Sequence, residues 1–263
     1  MAAQELPSFR RKLIRANEHL ESIREALVRC AYGDCEIVPE QDADTNIGLL
    51  RLRLPKPPGC LSPLIGDFLF NARASLDHLV WQLVESTPAR KHTVKNMFPI
   101  CSTPEAFADQ VRRHRLDGVP EKAPAIVETL QPYFGRNNPL RRMADLHELD
   151  KHRMLSLVTA VAKDTAVEWS RGNEVLISML IGDEELRDGA VFGGLGIDLN
   201  HPDYPNLASR FSNVKVQGQA AIFVAFEDEA AEELEPLRVD MVLQEISEFL
   251  GETVFPSFRP FFH

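Results

Sequence analysis

The sequence has few cysteines and no long apolar run. Its 263 residues include four cysteines, which form neither a CxxC pair nor a ligand-like repeat: Cys30, Cys35, Cys60 and Cys101. Neither a zinc ribbon nor a disulfide framework is therefore expected. No stretch approaches the roughly 20 uncharged residues that span a bilayer, and the opening residues lack the apolar core of a signal peptide. We expect a cytoplasmic protein that has no membrane partner.

The sequence also lacks a glycine-rich phosphate loop. The segment GGLGID, residues 193–198, has neither the lysine nor the spacing with which such loops hold a nucleotide. Nucleotide-dependent classes are therefore disfavoured, and no cofactor is expected.

Lys and Arg residues are fewer than Asp and Glu residues, 29 against 39. The net charge of -10 and the pI near 5.3 disfavour a surface built entirely for nucleic acid. Negative charge concentrates at 226–235, whereas four segments are locally basic: 10–15, 112–115, 136–142 and 150–153. These segments indicate either a local basic cleft or ordinary solvated helix faces.

Hydrophobic spacing predicts helices early, strands late and a helix at the end. Apolar residues recur at steps of three and four over 7–31, and CEIVPE followed by IGLLRLRL predicts a β-hairpin. We predict one α+β domain over 1–263, with an antiparallel β-sheet in the C-terminal half at about 154–228 and a C-terminal helix. Its helical bundle is predicted from 7–31, 62–86, 104–151 (shorter helices near 104–115, 121–133 and 138–151) and 236–250.

The segment FLFNARASLDHLVWQL, residues 68–83, points most directly at function. On a helical wheel it has a broad apolar arc and a polar stripe that includes Asn71 and His78. Arg73 and Asp77 lie one turn apart among apolar neighbours, so an ion pair between them is predicted. Two interpretations stay open: a structural arginine, either bridged or reaching to water, or a site that Arg73 and His78 line together.

A second helix, NPLRRMADLHELDKHRML, resembles a zinc motif without matching it. The HExxH pattern needs a histidine at position 151, which is Lys151 here. On the wheel, His147, Asp150 and Lys151 fall inside the apolar arc, whereas His152 lies on the polar side. If the helix persists past Asp150, these inward groups form either a satisfied core network or a site shared with the Arg73 helix.

Three motifs carry a resemblance to known proteins. NARASLDHL at 71–79, FPI at 98–100 and LDKHR at 149–153 resemble a widespread group of uncharacterised bacterial proteins, over roughly 60–155, for which no activity is implied. The spacing from Arg73 to His78 also fits R-x4-H, which resembles the signature of HEPN ribonucleases, helical domains that dimerise and cut RNA without metal. The chain departs from that family at Ala74, where a polar residue is usual, and in its β-rich half.

The HEPN resemblance implies a homodimeric, metal-independent endoribonuclease of a toxin or defence type. Arg73 would stabilise charge on the scissile phosphate, His78 would act on the ribose 2′-hydroxyl or the leaving oxygen, and Asp77 would orient them. We predict RNA-binding residues at Asn71, His147, Asp150, Lys151, His152 and Arg153. Two alternatives stay open: a non-catalytic binding or scaffold protein, and a metal-dependent hydrolase assembled from His78, His147, Asp150 and His152.

Overall fold

A computed structural model gives the fold of the chain. It describes residues 6–31, 36–41, 47–88, 91–135, 138–161, 166–171, 174–180, 186–198, 215–216, 222–227 and 237–262. The described chain divides into a helical unit and a β-rich unit. The helical unit comprises Met1–Arg24, Cys60–Leu155 and Val239–His263; the β-rich unit comprises Glu25–Gly59 and Ser156–Arg238. That both belong to one domain stays a prediction.

The helices begin and end close to their predicted bounds. They are α1 Ser8–Ala31, α2 Leu61–Glu85, α3 Pro104–Arg112, α4 Ala123–Thr129, α5 Pro139–His152 and α6 Val239–Glu248. Two of the starts have a local cause, because Thr103 and Asn138 cap α3 and α5 with their side-chain oxygens and a proline follows each cap. A π-helical segment at Phe249–Val254 and short turns at Phe255–Ser257 and Arg259–Phe261 follow α6, and a 3-10 turn at Pro132–Phe134 precedes α5.

Helix α2 supplies much of the core of the helical unit. The whole apolar arc predicted for it is buried: Ile65, Phe68, Leu69, Ala72, Leu76, Leu79, Val80 and Leu83. Burial of one such side chain stabilises the folded state by roughly 1.5 to 3 kcal/mol. This arc fixes the rotation of α2, and therefore decides where its polar residues point.

The β-rich unit contains two antiparallel sheets. Its strands are β1 Glu36–Gln41, β2 Ile47–Arg53, β3 Leu157–Val161, β4 Ala166–Arg171, β5 Glu174–Leu180, β6 Leu186–Arg187, β7 Val191–Asp198, β8 Lys215–Val216 and β9 Ile222–Phe226. Six of them form a sheet in the order β5-β4-β8-β1-β2-β7, and three form a sheet in the order β6-β3-β9. The hairpin predicted from the two early extended runs is confirmed as β1 and β2. The α+β class is confirmed as well.

One strand, β7, pairs irregularly. Strand β7 contains the GGLGID segment and pairs with β2, with Gly193 opposite Leu50 and Gly194 opposite Leu49. Its glycines interrupt the alternation by which strands are recognised, and the pairing itself is irregular there.

Candidate functional site

The Arg73–Asp77 pair binds one residue of a neighbouring loop from both sides. Arg73 Nη2 donates a hydrogen bond of 2.8 Å to the carbonyl oxygen of Phe98, and the Phe98 N–H donates one of 2.9 Å to Asp77 Oδ1. Arg73 Nη1 lies 2.9 Å from Asp77 Oδ1, so the predicted ion pair is confirmed. Both backbone polar groups of Phe98, itself buried, are thus held by α2.

The guanidinium of Arg73 is bound by groups within the fold. Its side chain is only 17% exposed, and the Nη1 atom is shielded from solvent. The Nη1 contact with Asp77 is an ion pair without the geometry of a hydrogen bond, so Nη1 has no hydrogen-bond partner among the described residues. Because Nη1 is shielded from solvent, a phosphate cannot reach this atom in the described fold.

Gln131 holds the same loop from its other side. Its amide accepts the N–H of Cys101 at 2.8 Å and donates to the carbonyl oxygens of Pro99 and Val127 at 2.9 and 3.0 Å. The side chain is fully buried, a setting in which each lost partner costs about 1 to 3 kcal/mol. The sequence analysis missed this residue, because its partners lie as far as 32 positions away.

Helices α2 and α5 approach each other closely at Gly66. A Cβ atom on this glycine would lie 2.6 Å from Oδ2 and 2.8 Å from Oδ1 of Asp150, so the carboxylate rests on the backbone of α2. Helix α5 continues past Asp150 to His152, as the predicted cluster requires. Asp150 therefore points inward, as predicted.

His147 lies half-buried one turn before Asp150. Burial lowers the pKa of His147, the positive charges of Lys151 and Arg73 lower it further, and the carboxylates of Asp150 and Glu148 oppose them. His147 and Asp150 thus form the predicted neighbouring pair, and Arg73 is close enough to act on it. Burial and the neighbouring cations therefore favour the neutral form of this imidazole.

The prediction that Lys151 points inward is wrong. Lys151 is exposed and donates to Glu148 at 3.0 Å, and His152 contacts the same carboxylate at 3.1 Å. These two hydrogen bonds lower the pKa of Glu148. Arg153 is also exposed, and its N–H ends the helix by donating to the carbonyl oxygen of Leu149. A long side chain at the edge of an apolar arc reaches water, where its charge is solvated.

His78 belongs to a different surface from Arg73. His78 is five positions after Arg73, so the two side chains point about 140° apart around α2. Burial lowers the pKa of His78, Lys12 and Arg11 of α1 lower it further, and Asp77 opposes them; Arg73 is not among these influences. Within one chain, therefore, Arg73 and His78 do not line one site from the same side of α2.

We call the residues around His78 the α1–α2 face: Lys12, Phe70, Asn71 and His78. The ammonium of Lys12 lies 5.6 Å from the centroid of the Phe70 ring and 3.4 Å from Asn71 Oδ1. Asn71 is buried and donates to the carbonyl oxygen of Asp67 at 2.9 Å, whereas Phe70 is 58% exposed. The sequence analysis missed Lys12 and Phe70, although an aromatic residue outside the apolar arc of α2 was a usable signal.

The described residues contain no group of three or more His, Cys, Asp and Glu side chains placed to hold a metal ion. No described helix is long and apolar enough to cross a membrane. Comparison of the chain with protein-family models, with curated proteins and with solved structures gave no match.

Proposed function

We propose that the helical unit binds single-stranded RNA through the α1–α2 face. The observation that carries this proposal is the exposed Phe70 ring beside the ammonium of Lys12. An exposed aromatic ring offers a face on which a base can stack, and a neighbouring cation attracts the phosphate that follows it. Single-stranded RNA presents both groups, whereas paired bases are not free to stack on a protein ring.

The distribution of charge between the units supports the same ligand. The helical unit contains 19 Lys and Arg against 18 Asp and Glu, whereas the β-rich unit contains 10 against 21. The acidity of the whole chain therefore resides in the β-rich unit. A polyanion approaching the helical unit meets a nearly neutral body with local cationic positions, which favours binding that weakens as salt rises.

Binding is tested by fluorescence anisotropy with a labelled unpaired RNA oligonucleotide and the same RNA as a duplex. We expect Lys12→Ala and Phe70→Ala each to weaken single-strand binding about tenfold. Lys12→Ala should also reduce the slope of log affinity against log salt by about 1, because one phosphate contact is lost. The matched control is Met241→Ala, which truncates an exposed apolar side chain on α6. Unchanged affinity in both α1–α2 variants would refute the proposal.

A second candidate, metal-independent RNA cleavage, is favoured by the setting of His78. Burial and the cations of Lys12 and Arg11 lower the pKa of His78 and so favour its neutral imidazole, which can accept a proton from a ribose 2′-hydroxyl while a cation faces the phosphate. In this arrangement Arg73 and Asp77 position α2 and do not touch RNA. The His78 that takes the proton then donates it to the leaving 5′-oxygen, and the homodimer implied by the HEPN resemblance belongs to this proposal.

Cleavage is tested by incubating RNA with the protein in the presence of a chelator. The candidate predicts products that disappear in His78→Ala, while that variant still binds RNA. A measurement of mass in solution shows whether the cleaving species is a dimer. Intact RNA in a complex with the wild-type chain would eliminate the cleavage candidate and leave the binding proposal standing.

A further inference from the structure

A cleft of about 650 Å³ opens at the C-terminal end of α2, within the helical unit. Its apolar walls are four prolines together with Phe261 and Phe262 of the C-terminal turn. Its polar side is formed by the last turn of α2 and the residues that follow, including Gln82 and Glu85. This volume lies within the range of sites that hold small molecules.

The electrostatic setting of the cleft is negative. Helix α2 is 25 residues long and has no basic residue in its last turn, so the negative end of its dipole is uncompensated by its own side chains. Glu85 adds a carboxylate that is 55% exposed. It contacts Trp81 Nε1 at 3.2 Å and His92 Nε2 at 3.6 Å, and both contacts use Oε1. Among the described residues, no hydrogen bond or ion pair occupies Oε2.

The remaining polar groups of the cleft act mainly as acceptors. The hydroxyls of Ser86 and Thr87 both donate to the carbonyl oxygen of Leu83, at 2.8 and 3.1 Å, so they offer a ligand only lone pairs. None of the described lining residues is a lysine or arginine. A ligand that fits must therefore bring hydrogen-bond donors and positive charge.

We propose that this cleft binds an organic cation, an ammonium or guanidinium group carried on an apolar chain. The charged head lies against Glu85 and the hydroxyls that end α2, where the carboxylate and the helix dipole both attract it. The apolar chain packs on the prolines and on Phe261 and Phe262, whose ring faces also attract cations. The site lies apart from the α1–α2 face residues and does not depend on the RNA proposal.

The proposal is tested by isothermal titration calorimetry at physiological salt, using the 263-residue chain. Spermidine represents a free polyamine, N-acetyl-argininamide represents the arginine side chain of a partner, and an uncharged alkyl diol controls for apolar contact alone. The variant is Glu85→Gln, which removes the charge and keeps the shape. Its matched control is Glu105→Gln, an exposed glutamate on α3 that does not line the cleft.

We expect at least one of the two cations to bind with one-to-one stoichiometry. Glu85→Gln should weaken that binding about tenfold or more, whereas Glu105→Gln should leave it unchanged within about twofold. Phe262→Ala should weaken it as well, through the lost apolar wall. Equal affinity in Glu85→Gln and the wild-type chain, equal affinity for the diol, or no binding of either cation would overturn the proposal.

Discussion

The polar side chains on two sides of α2 have different surroundings. On one side, Arg73 and Asp77 are turned to the backbone of Phe98, and the guanidinium is largely shielded from water. About 140° around the helix, His78 is partly exposed and lies near Lys12, and Phe70, whose ring Lys12 contacts, lies between His78 and Arg73. The most unusual charge in the sequence therefore supports the fold, and the side chains available to a ligand lie around the helix from it.

This difference shows that the burial of a charged side chain does not by itself indicate that the side chain binds a ligand. A guanidinium among apolar residues needs partners, and here the fold itself supplies them as a carbonyl and a carboxylate. A ligand site needs groups with hydrogen-bond donors or acceptors that contacts within the fold do not already use. Mutations on the Arg73 side should therefore change stability, and mutations on the Lys12 side should change binding.

The largest effect is expected from Asp77→Ala. The change removes the acceptor of the Phe98 N–H and leaves Arg73 without its carboxylate, so the free energy of unfolding should fall by about 2 to 3 kcal/mol. Urea unfolding followed by far-UV circular dichroism measures this loss. A thermal midpoint unchanged within about one degree would show that Arg73 is solvated and that the two sides of α2 do not differ.

A smaller effect is expected from Gly66→Ala, which tests the contact with α5. The new methyl group collides with the carboxylate of Asp150, and the collision should outweigh the gain of about 1 kcal/mol that alanine brings to a helix. We expect net destabilisation of about 1 kcal/mol.

The matched control for this change is the same substitution in an Asp150→Ala chain. There the collision is gone, so Gly66→Ala should become stabilising by up to about 1 kcal/mol. If the substitution has the same effect in both backgrounds, the two helices do not approach as described.

The smallest effect is expected from pH. The pKa values of His78 and His147 are both lowered from 6.5, so the unfolded chain takes up protons at these positions more readily than the folded chain. Their contribution to stability is complete above about pH 6.5 and declines as the pH falls from there towards the lowered values.

A double variant, His78→Gln with His147→Gln, should therefore lose less stability than the wild-type chain between pH 7.5 and 5.5. Urea midpoints measured across that interval, roughly one unit on either side of the histidine pKa, give the comparison. An identical decline in both proteins would mean that neither imidazole is perturbed by the fold.

Local periodicity predicted the helices and the arc of α2 because both depend on residues three or four positions apart. The Arg73–Asp77 pair was predictable for the same reason. Its partner Phe98 was not, since backbone groups 21 and 25 residues away carry no side-chain signal. Lys151 shows a different limit: the wheel places its Cβ, and the length of the side chain then decides whether the ammonium is buried.

The most direct test measures Arg73→Ala and Lys12→Ala side by side, for both unfolding free energy and affinity for single-stranded RNA. Arg73→Ala should lose about 2 kcal/mol of stability and, where it is still folded, keep its RNA affinity within about twofold. Lys12→Ala should keep its stability within about 0.5 kcal/mol and lose affinity about tenfold. An Arg73→Ala chain that stays as stable as the wild type but no longer binds RNA would contradict the account and place the site at Arg73.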